Sequence, residues 1–159
     1  MKKFILYSAL FSTVAFTGCK KFLDTLPDNR TSLNTPGKVA EMLTSAYPKA
    51  SYIVFCEAMS DNADDKGTAE SETYNSVPYV WGDVPEKDQD SPDFYWNGAY
   101  EAIAAANQAL DAISTAANQK AYTAQKGEAL VARAYAHFML VTLYAKAYDP
   151  ATATSDPGV

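Results

Sequence analysis

The sequence predicts an all-α protein, and two helical patterns between residues 94 and 148 carry that prediction. In the first, large side chains recur every three or four residues along one face: Trp96, Tyr100, Ile103, Asn107 and Leu110. In the second, residues 129–145 are apolar nearly all round, and the interruptions are Arg133, His137 and Thr142. A helix that is apolar on several sides needs cover on more than one of them. We therefore expect this pair to be the inner part of a helical stack.

The two predicted helices are expected to lie antiparallel. A polar break over residues 114–125 is short enough to fold the second helix back along the first. Small residues that flank the stripe, such as Ala99 and Ala106, allow the second helix to approach closely. The second helix ends before Asp149, and residues 151–159 form a polar tail without a core signal.

The N-terminal half predicts shorter helices. Thr35 is a candidate N-cap, Pro36 suits the first helical position, and the helix should run to about Tyr47, where Pro48 stops it. Residues 50–59 are short, apolar and rich in aromatic and β-branched residues, so strand and helix both remain open. We favour a helix there, because the segments that follow behave helically.

Residues 60–93 are expected to form a long irregular loop that ends at Asp93, the predicted N-cap of the next helix. The segment mixes acidic residues, glycines and prolines with the rings of Tyr74, Tyr79 and Trp81. A loop of this length inside a compact domain usually has a function or is disordered. The sequence therefore indicates residues 60–93 as the first candidate for a binding site.

Composition and motifs exclude several classes of function. The 159 residues suffice for one domain with a core, and the net charge of −6 without a basic stripe argues against nucleic-acid binding. The sequence has no HExxH, glycine-rich phosphate loop, GxSxG elbow or supported cysteine–histidine pair. We therefore predict that the protein is not an enzyme and needs no cofactor or metal.

The N-terminus predicts export and a lipid anchor. Lys2 and Lys3 precede an apolar segment over residues 4–16, which is too short for a membrane span. Thr17, Gly18 and Cys19 then resemble a bacterial lipobox, in which the cysteine becomes the acylated first residue. An ordinary signal peptide with an incidental cysteine is the alternative. With Cys19 acylated, Cys56 is expected to be a buried apolar residue.

Four motifs, taken in order and spacing, resemble the N-terminal part of the SusD/RagB family. They are Cys19-Lys20-Lys21-Phe22-Leu23-Asp24, Ser60-Asp61-Asn62, the stripe from Trp96 to Leu110, and Gly127-Glu128-Ala129 followed by Arg133, Ala134, Tyr135, Phe138, Val141 and Tyr144. The resemblance covers essentially the whole chain. Because members of the family are much longer, it implies that this chain is an N-terminal portion of a larger α-helical fold.

The resemblance implies a fold of tetratricopeptide-like antiparallel helix pairs and a role in nutrient capture. SusD/RagB proteins are outer-membrane lipoproteins of Bacteroidetes that bind glycans at the cell surface and cap a SusC-type TonB-dependent transporter. The implied layout is a signal peptide over 1–18, a lipid-anchored tether over 19–34, a helical domain over 35–148, and a linker over 149–159 to a missing C-terminal region.

Glycan binding requires flat rings for stacking and polar groups for the sugar hydroxyls. The rings available in the loop are Trp81, Tyr79 and Tyr74, and the candidate acceptors are Asp61, Asn62, Asp64 and Asp65. Two plainer interpretations remain open: the rings fold the loop onto the helix pair, and the acids form a solvated turn. The acidic run lacks the ligand pattern of an EF-hand, so we do not predict a calcium site.

An alternative function is that of a helical-repeat adaptor lipoprotein whose ligand is a protein. Four residues on the helix pair are predicted to be structural. Trp96 is expected in the core, Asn107 as a satisfied buried amide, and Arg133 in an ion pair with an acid across the interface. The single histidine, His137, carries no predicted function.

Overall fold

The predicted long helix pair is the main feature of the structure. We describe the protein from a computed structural model, which covers residues 32–69, 73–88 and 91–159; the side chains of residues 73 and 74 lie outside the description. The chain divides into a unit over Met1–Ser32 and a unit over Leu33–Val159. The predicted signal peptide, Cys19 and most of the tether therefore lie outside the described residues.

The described residues contain five α-helices and no strand, which confirms the all-α prediction. The helices are α1 (Pro36–Leu43), α2 (Ile53–Ala58), α3 (Thr73–Tyr79), α4 (Pro92–Thr115) and α5 (Thr123–Tyr144), with a 3-10 helix over Gln119–Tyr122 before α5. None of these helices has the length and hydropathy needed to cross a bilayer. The described part contains one long helix pair, α4 and α5, so a repeat of such pairs stays a prediction.

Helix α1 begins where the sequence predicted and ends earlier. The Thr35 Oγ1 atom accepts a hydrogen bond of 3.3 Å from the amide of Lys38, and Pro36 follows as the first helical residue. The helix ends at Leu43 rather than at Tyr47. The amides of Thr44, Ser45 and Ala46 each bond to the carbonyl three residues back, which tightens the chain into turns before Pro48 is reached.

Helix α4 is capped by Ser91 and not by Asp93, so that prediction is wrong. The Ser91 Oγ atom accepts a hydrogen bond of 3.1 Å from the amide of Phe94, and Ser91 is fully buried. Because Pro92 disfavours a helical conformation for the residue before it, Ser91 is extended and becomes the cap. Asp93 lies in the first turn, where its carboxylate favours the positive helix end, and the Lys87 Nζ atom is 3.5 Å from it.

Helices α4 and α5 pack along a row of alanines. The members with at most 1% exposure are Ala99, Ala102, Ala106 and Ala109 of α4 and Ala129, Ala132 and Ala136 of α5. The pair is antiparallel, since the hydroxyl of Tyr144 near the end of α5 donates a hydrogen bond of 2.7 Å to the carbonyl of Pro92 at the start of α4. Val39 and Leu43 of α1 complete the core cluster at the other end. We call these seven alanines the alanine seam.

The predicted stripe on α4 is displaced from the face that is buried. Trp96 is half-buried and packs against the core cluster that contains Ala99 and Leu140, at the edge of the core rather than inside it. Tyr100 is 36% exposed and Asn107 is exposed, so Asn107 is not a buried amide. Asn107 instead accepts a hydrogen bond of 3.0 Å from Arg133 Nη1, and Arg133 makes no ion pair with an acid among the described residues. The buried centre of the interface holds the alanines together with the aliphatic side chains of Ile103, Ile113 and Leu140, and the aromatic rings lie at its edges.

Residues 50–59 form helix α2, as favoured, and it packs against the side of the pair. Phe55 is buried beside Tyr95 and Met139, and the ring centroids of Phe55 and Tyr95 are 6.3 Å apart. Cys56 packs at this cluster but is half-buried rather than buried. Burial raises the pKa of its thiol, and the neighbouring carboxylate of Glu57 raises it further.

The segment predicted as an irregular loop contains a helix, α3, which packs against α2. Pro78 lies in its last turn, where it removes one backbone donor, and its ring is fully buried. Burial of Pro78 offsets its low helix propensity. The sequence pattern did not show that the proline would be buried, so the helix was not predicted. The remaining parts of the described segment, residues 60–69 and 80–88, are turns and irregular chain.

The C-terminal tail contributes to the core, contrary to prediction. Val159 packs against the cluster formed by Ala99, Ile103, Ala136 and Leu140. A turn holds the tail, in which Lys146 Nζ is 2.8 Å from Asp156 Oδ1 and the Thr152 hydroxyl donates a hydrogen bond of 2.7 Å to Asp156 Oδ2. These two donors lower the pKa of the Asp156 carboxyl.

Among the described residues, no helix gives the outer face of α5 the second cover that its composition predicted. Within the described residues it exposes five large apolar side chains, by 42–65%: Leu130, Val131, Tyr135, Phe138 and Val141. We call these residues the α5 outer row. The other described helices pack against the opposite side of α5 and leave the outer row exposed.

Removal of the Tyr144 hydroxyl tests how much its hydrogen bond to the Pro92 carbonyl stabilises the packing of α5 on α4. We expect Tyr144→Phe to lower the free energy of unfolding by about 1 kcal/mol at pH 7, because it leaves the Pro92 carbonyl without this donor. Burial raises the pKa of both Tyr144 and Tyr95, that of Tyr95 to about 12. Since an unfolded tyrosine ionises near pH 10, stability should fall above that pH, and less steeply in the variant.

Urea unfolding at pH 7 and pH 11 measures both effects. Tyr148→Phe is the matched control, because Tyr148 is 83% exposed. Equal pH slopes for Tyr144→Phe and the wild type would contradict the prediction.

The tail should loosen in acid. Because the pKa of Asp156 is lowered in the folded state, its stabilising contribution is complete above its ordinary value of 3.8 and is lost as the pH falls through the lower folded value. We expect Asp156→Asn to reproduce the acid state at neutral pH and to speed amide hydrogen exchange over residues 149–156. Asp111→Asn, a change of an exposed acid on α4, should leave exchange in the tail unchanged.

Candidate functional site

Helix α3 ends in a Schellman turn that contains Trp81. The amide of Gly82 donates a hydrogen bond of 2.9 Å to the carbonyl of Val77, and the amide of Trp81 donates one of 2.8 Å to the carbonyl of Pro78. This pair of bonds requires a left-handed residue at the position of Trp81, whose φ is 57°. Glycine fits position 82 best, because a Cβ there would lie 3.0 Å from Val77 Cγ1 and the Val77 side chain would have to shift.

The position of Trp81 is strained. A left-handed conformation costs an L-residue about 1–2 kcal/mol, and glycine normally occupies this place. Among the described residues other than glycine, Trp81 alone has a positive φ. A bulky ring kept in such a conformation, and kept out of the core, is an observation that points to a function for the ring.

The rings of this turn are displayed to solvent. Trp81 is 73% exposed, Val80 is 70% exposed and Tyr79 is 38% exposed. The interpretation that Trp81 folds the loop onto the helix pair does not agree with that exposure. Within the described part, neither Trp81 nor Tyr79 contacts another aromatic ring. Tyr74 belongs to the same helix, but its side chain lies outside the description.

The polar candidates form a separate turn after α2. Asp61, Asn62 and Asp64 are exposed. The Asn62 amide side chain donates a hydrogen bond of 3.1 Å to Glu57 Oε2, and its backbone amide donates one of 3.1 Å to the Ser60 hydroxyl. These bonds fix a compact turn against the end of α2.

Among the described residues, no hydrogen bond links the polar candidates to Tyr79 or Trp81. The hydrogen bonds found among the described residues link Asn62 to Ser60 and Glu57 rather than to Tyr79 or Trp81. Asp65 accepts a bond of 2.7 Å from the amide of Gly67 in a local turn. In the described ranges, no three His, Cys, Asp or Glu side chains are close enough to hold a metal ion.

A cleft lined by tyrosines was not predicted from the sequence. It encloses about 530 Å³ between α2, α4 and α5, and its rings are Tyr47, Tyr52, Tyr95 and Tyr135. Tyr95 and Tyr52 meet edge to face with centroids 5.6 Å apart, and burial raises the pKa of Tyr95 to about 12. The residues come from distant segments, and their one sequence signal is the concentration of tyrosine around residues 47–52.

Comparison with known protein families identifies the relationship of this chain. A family model named SusD-like, with the description "Starch-binding associating with outer membrane", matches residues 21–158. The chain belongs to the SusD-like family. No curated protein and no solved structure matches the chain. The resemblance that the motifs indicated is thereby confirmed.

Family membership gives the broad function. SusD-like proteins are non-enzymatic binding proteins that associate with starch or related glycans at the outer membrane. The prediction that the protein is not an enzyme is confirmed on that ground. The matched region includes all the described helices, so the Trp81 turn and the helix pair are both parts of the SusD-like unit.

The strain at Trp81 can be measured by substitution. Trp81→Ala keeps the left-handed penalty, whereas Trp81→Gly removes it, so we expect the glycine variant to be more stable by about 1 kcal/mol. Gly67→Ala supplies the opposite control, because Gly67 has a φ of 69° and should lose a similar amount. Urea unfolding of the three variants checks both signs, and equal stability of the two Trp81 variants would contradict a strained turn.

Proposed function

We propose that this SusD-like protein captures an oligosaccharide at the cell surface with Trp81 as its stacking platform. The observation that carries the proposal is the 73% exposure of a tryptophan ring in a left-handed cap position. Sugars present apolar C–H faces, and a flat exposed ring binds such a face without a deep pocket. Tyr79, which is 38% exposed and two residues away, adds a second ring to the same turn.

We propose further that the captured sugar passes to a SusC-type TonB-dependent transporter and that acylated Cys19 anchors the protein to the outer membrane. The lipobox pattern before Cys19 supports the anchor, and the membership in the SusD-like family supports the association with the outer membrane. Residues 19–34 would then serve as the tether that connects the lipid to the helical domain.

The fold on which this function rests is proposed to be a series of tetratricopeptide-like pairs, of which α4 and α5 form one. Two observations support that proposal: the alanine seam, which allows the pair to pack closely, and the α5 outer row, which a further helix would cover. The helical domain would span residues 35–148, and residues 149–159 would lead to the next part of such a protein.

A second candidate function is a helical-repeat adaptor that binds protein and no glycan. The α5 outer row favours it, because its five exposed apolar side chains offer contact area to a polypeptide. Under this alternative, loss of the Trp81 ring would not alter the retention of any sugar.

Affinity electrophoresis through gels that contain starch and other polysaccharides tests the proposal. We expect Trp81→Ala to reduce retardation by about tenfold in apparent affinity, because a stacking contact is lost, and Trp81→Phe to keep most of it. Tyr148→Ala is the control, because Tyr148 is an exposed ring on another segment.

The same variants separate the two candidates. Lost retardation with intact co-purification of a transporter supports glycan capture. Retardation that Trp81→Ala leaves unchanged for every polysaccharide contradicts the proposal. Absence of retardation of the wild type, with intact co-purification of a protein partner in Trp81→Ala, supports the adaptor.

A further inference from the structure

A cavity distinct from the Trp81 turn lies along the first three turns of α4. It encloses about 600 Å³, and its lining includes Lys49, Phe94, Asn97, Gly98, Tyr100 and Glu101. Five of these six residues share one side of α4, since they follow one another at helical spacing, and Lys49 approaches from the chain that precedes α2. No residue of the Schellman turn contributes to the lining.

The aromatic wall of this cavity is held in place by other rings. Tyr100, which is 36% exposed, stacks at a tilt on Trp96 with ring centroids 5.1 Å apart. Trp96 meets the Tyr144 ring edge to face at 5.0 Å, and the Tyr144 hydroxyl bonds to the Pro92 carbonyl. This chain of contacts fixes the orientation of Tyr100 before any ligand binds, which reduces the entropy cost of binding.

The polar groups of the cavity are free to bind. Within the described residues, the side chains of Lys49, Asn97 and Glu101 make no hydrogen bond or ion pair. Together they offer an ammonium donor, an amide that donates and accepts, and a carboxylate acceptor. The opposite charges of Lys49 and Glu101 cancel, so the cavity has no net preference for an anionic or a cationic ligand.

Gly98 forms part of the cavity wall, beside the chain at Lys49 and Ala50. A glycine inside a long helix costs about 1 kcal/mol relative to alanine. A Cβ at this position would lie 3.6 Å from the Ala50 Cβ and 3.9 Å from the Lys49 amide nitrogen, which are ordinary contacts. Packing therefore does not require glycine here. Its effect is to leave space between α4 and Lys49.

We propose that this cavity is a second saccharide subsite, which binds one pyranose unit of a neutral oligosaccharide. The Tyr100 ring stacks on the sugar face, while Asn97, Glu101 and Lys49 bind its hydroxyl groups. The proposal rests on the proposed glycan capture and extends it, because two separated subsites bind a longer chain more tightly than one.

Fluorescence of a single tryptophan tests the subsite. The protein has two tryptophans, so Trp81→Phe leaves Trp96, whose ring contacts Tyr100, as the reporter. We expect starch-derived maltoheptaose to change the Trp96 emission with saturation. In this background, Asn97→Ala and Glu101→Gln should each weaken binding by about fivefold or more, since each removes a hydrogen-bonding group.

Two further variants distinguish a binding role from a structural one. Gln108→Ala, which removes an exposed amide outside the cavity on the same helix, should leave binding unchanged. Gly98→Ala should raise Tm by improving helix propensity and should weaken binding by filling the cavity. If Gly98 had only a structural role, Gly98→Ala would change Tm and the affinity for maltoheptaose in the same direction.

Each outcome separates this proposal from the function it extends. Binding that survives Trp81→Ala and is lost in Asn97→Ala supports the subsite and contradicts the Trp81 platform. Binding that is lost in Trp81→Ala and unchanged in Asn97→Ala and Glu101→Gln overturns the subsite and leaves the platform standing. Absence of any saturable response to maltoheptaose in the wild type and in the Trp81→Phe protein overturns both for this class of sugar.

Discussion

The contact on which the rest of the structure depends is the alanine seam between α4 and α5. Seven alanines with almost no exposure let the two helix backbones approach closely. The alanines share the buried centre of the interface with a few aliphatic side chains, such as Ile103 and Leu140, and the bulkier aromatic rings lie at its edges. Trp96, Tyr100 and Tyr144 therefore form an aromatic cluster at the edge, close to where α4 begins. The same constraint places Tyr95 against Tyr52 and Phe55 on another edge.

The two proposed binding surfaces are supported in different ways, and only the one along α4 follows from this arrangement. Along α4, rings at the edge of the interface are half-exposed and are also supported from behind, which is the condition for a rigid stacking surface. At α3, the support is different in kind, because a Schellman turn fixes the backbone of Trp81 while its side chain is left in solvent. The ring surface along α4 is stabilised by packing, whereas the Trp81 turn retains an unfavourable backbone conformation. A protein that binds a ligand without transforming it needs only such display and rigidity.

The sequence identified some of these residues and mistook the role of others. Trp81 and Tyr79 were predicted as candidate ligand contacts because aromatic rings among turn residues match no periodic core pattern. Asn107 and Arg133 were each noticed, but their mutual hydrogen bond was not, since they are 26 residues apart and both were assigned other partners. Tyr100 was counted as part of the apolar stripe and not as a surface ring. The periodicity of large residues cannot show that smaller neighbours occupy the interface.

The sequence by itself determined the helical class, the antiparallel pair, the Thr35 cap and the family, because spacing, break length and local capping chemistry are properties of short segments. Tertiary structure decided that Pro78 is buried inside a helix, that Val159 returns to the core and which rings face solvent. These features depend on contacts between distant segments, and such contacts have no signature in the local order of residues. The Ser91 cap and the positive φ of Trp81 arise within one turn of chain, from Pro92 and from the hydrogen bonds that end α3, and the structure was needed to show which of the competing local conformations forms.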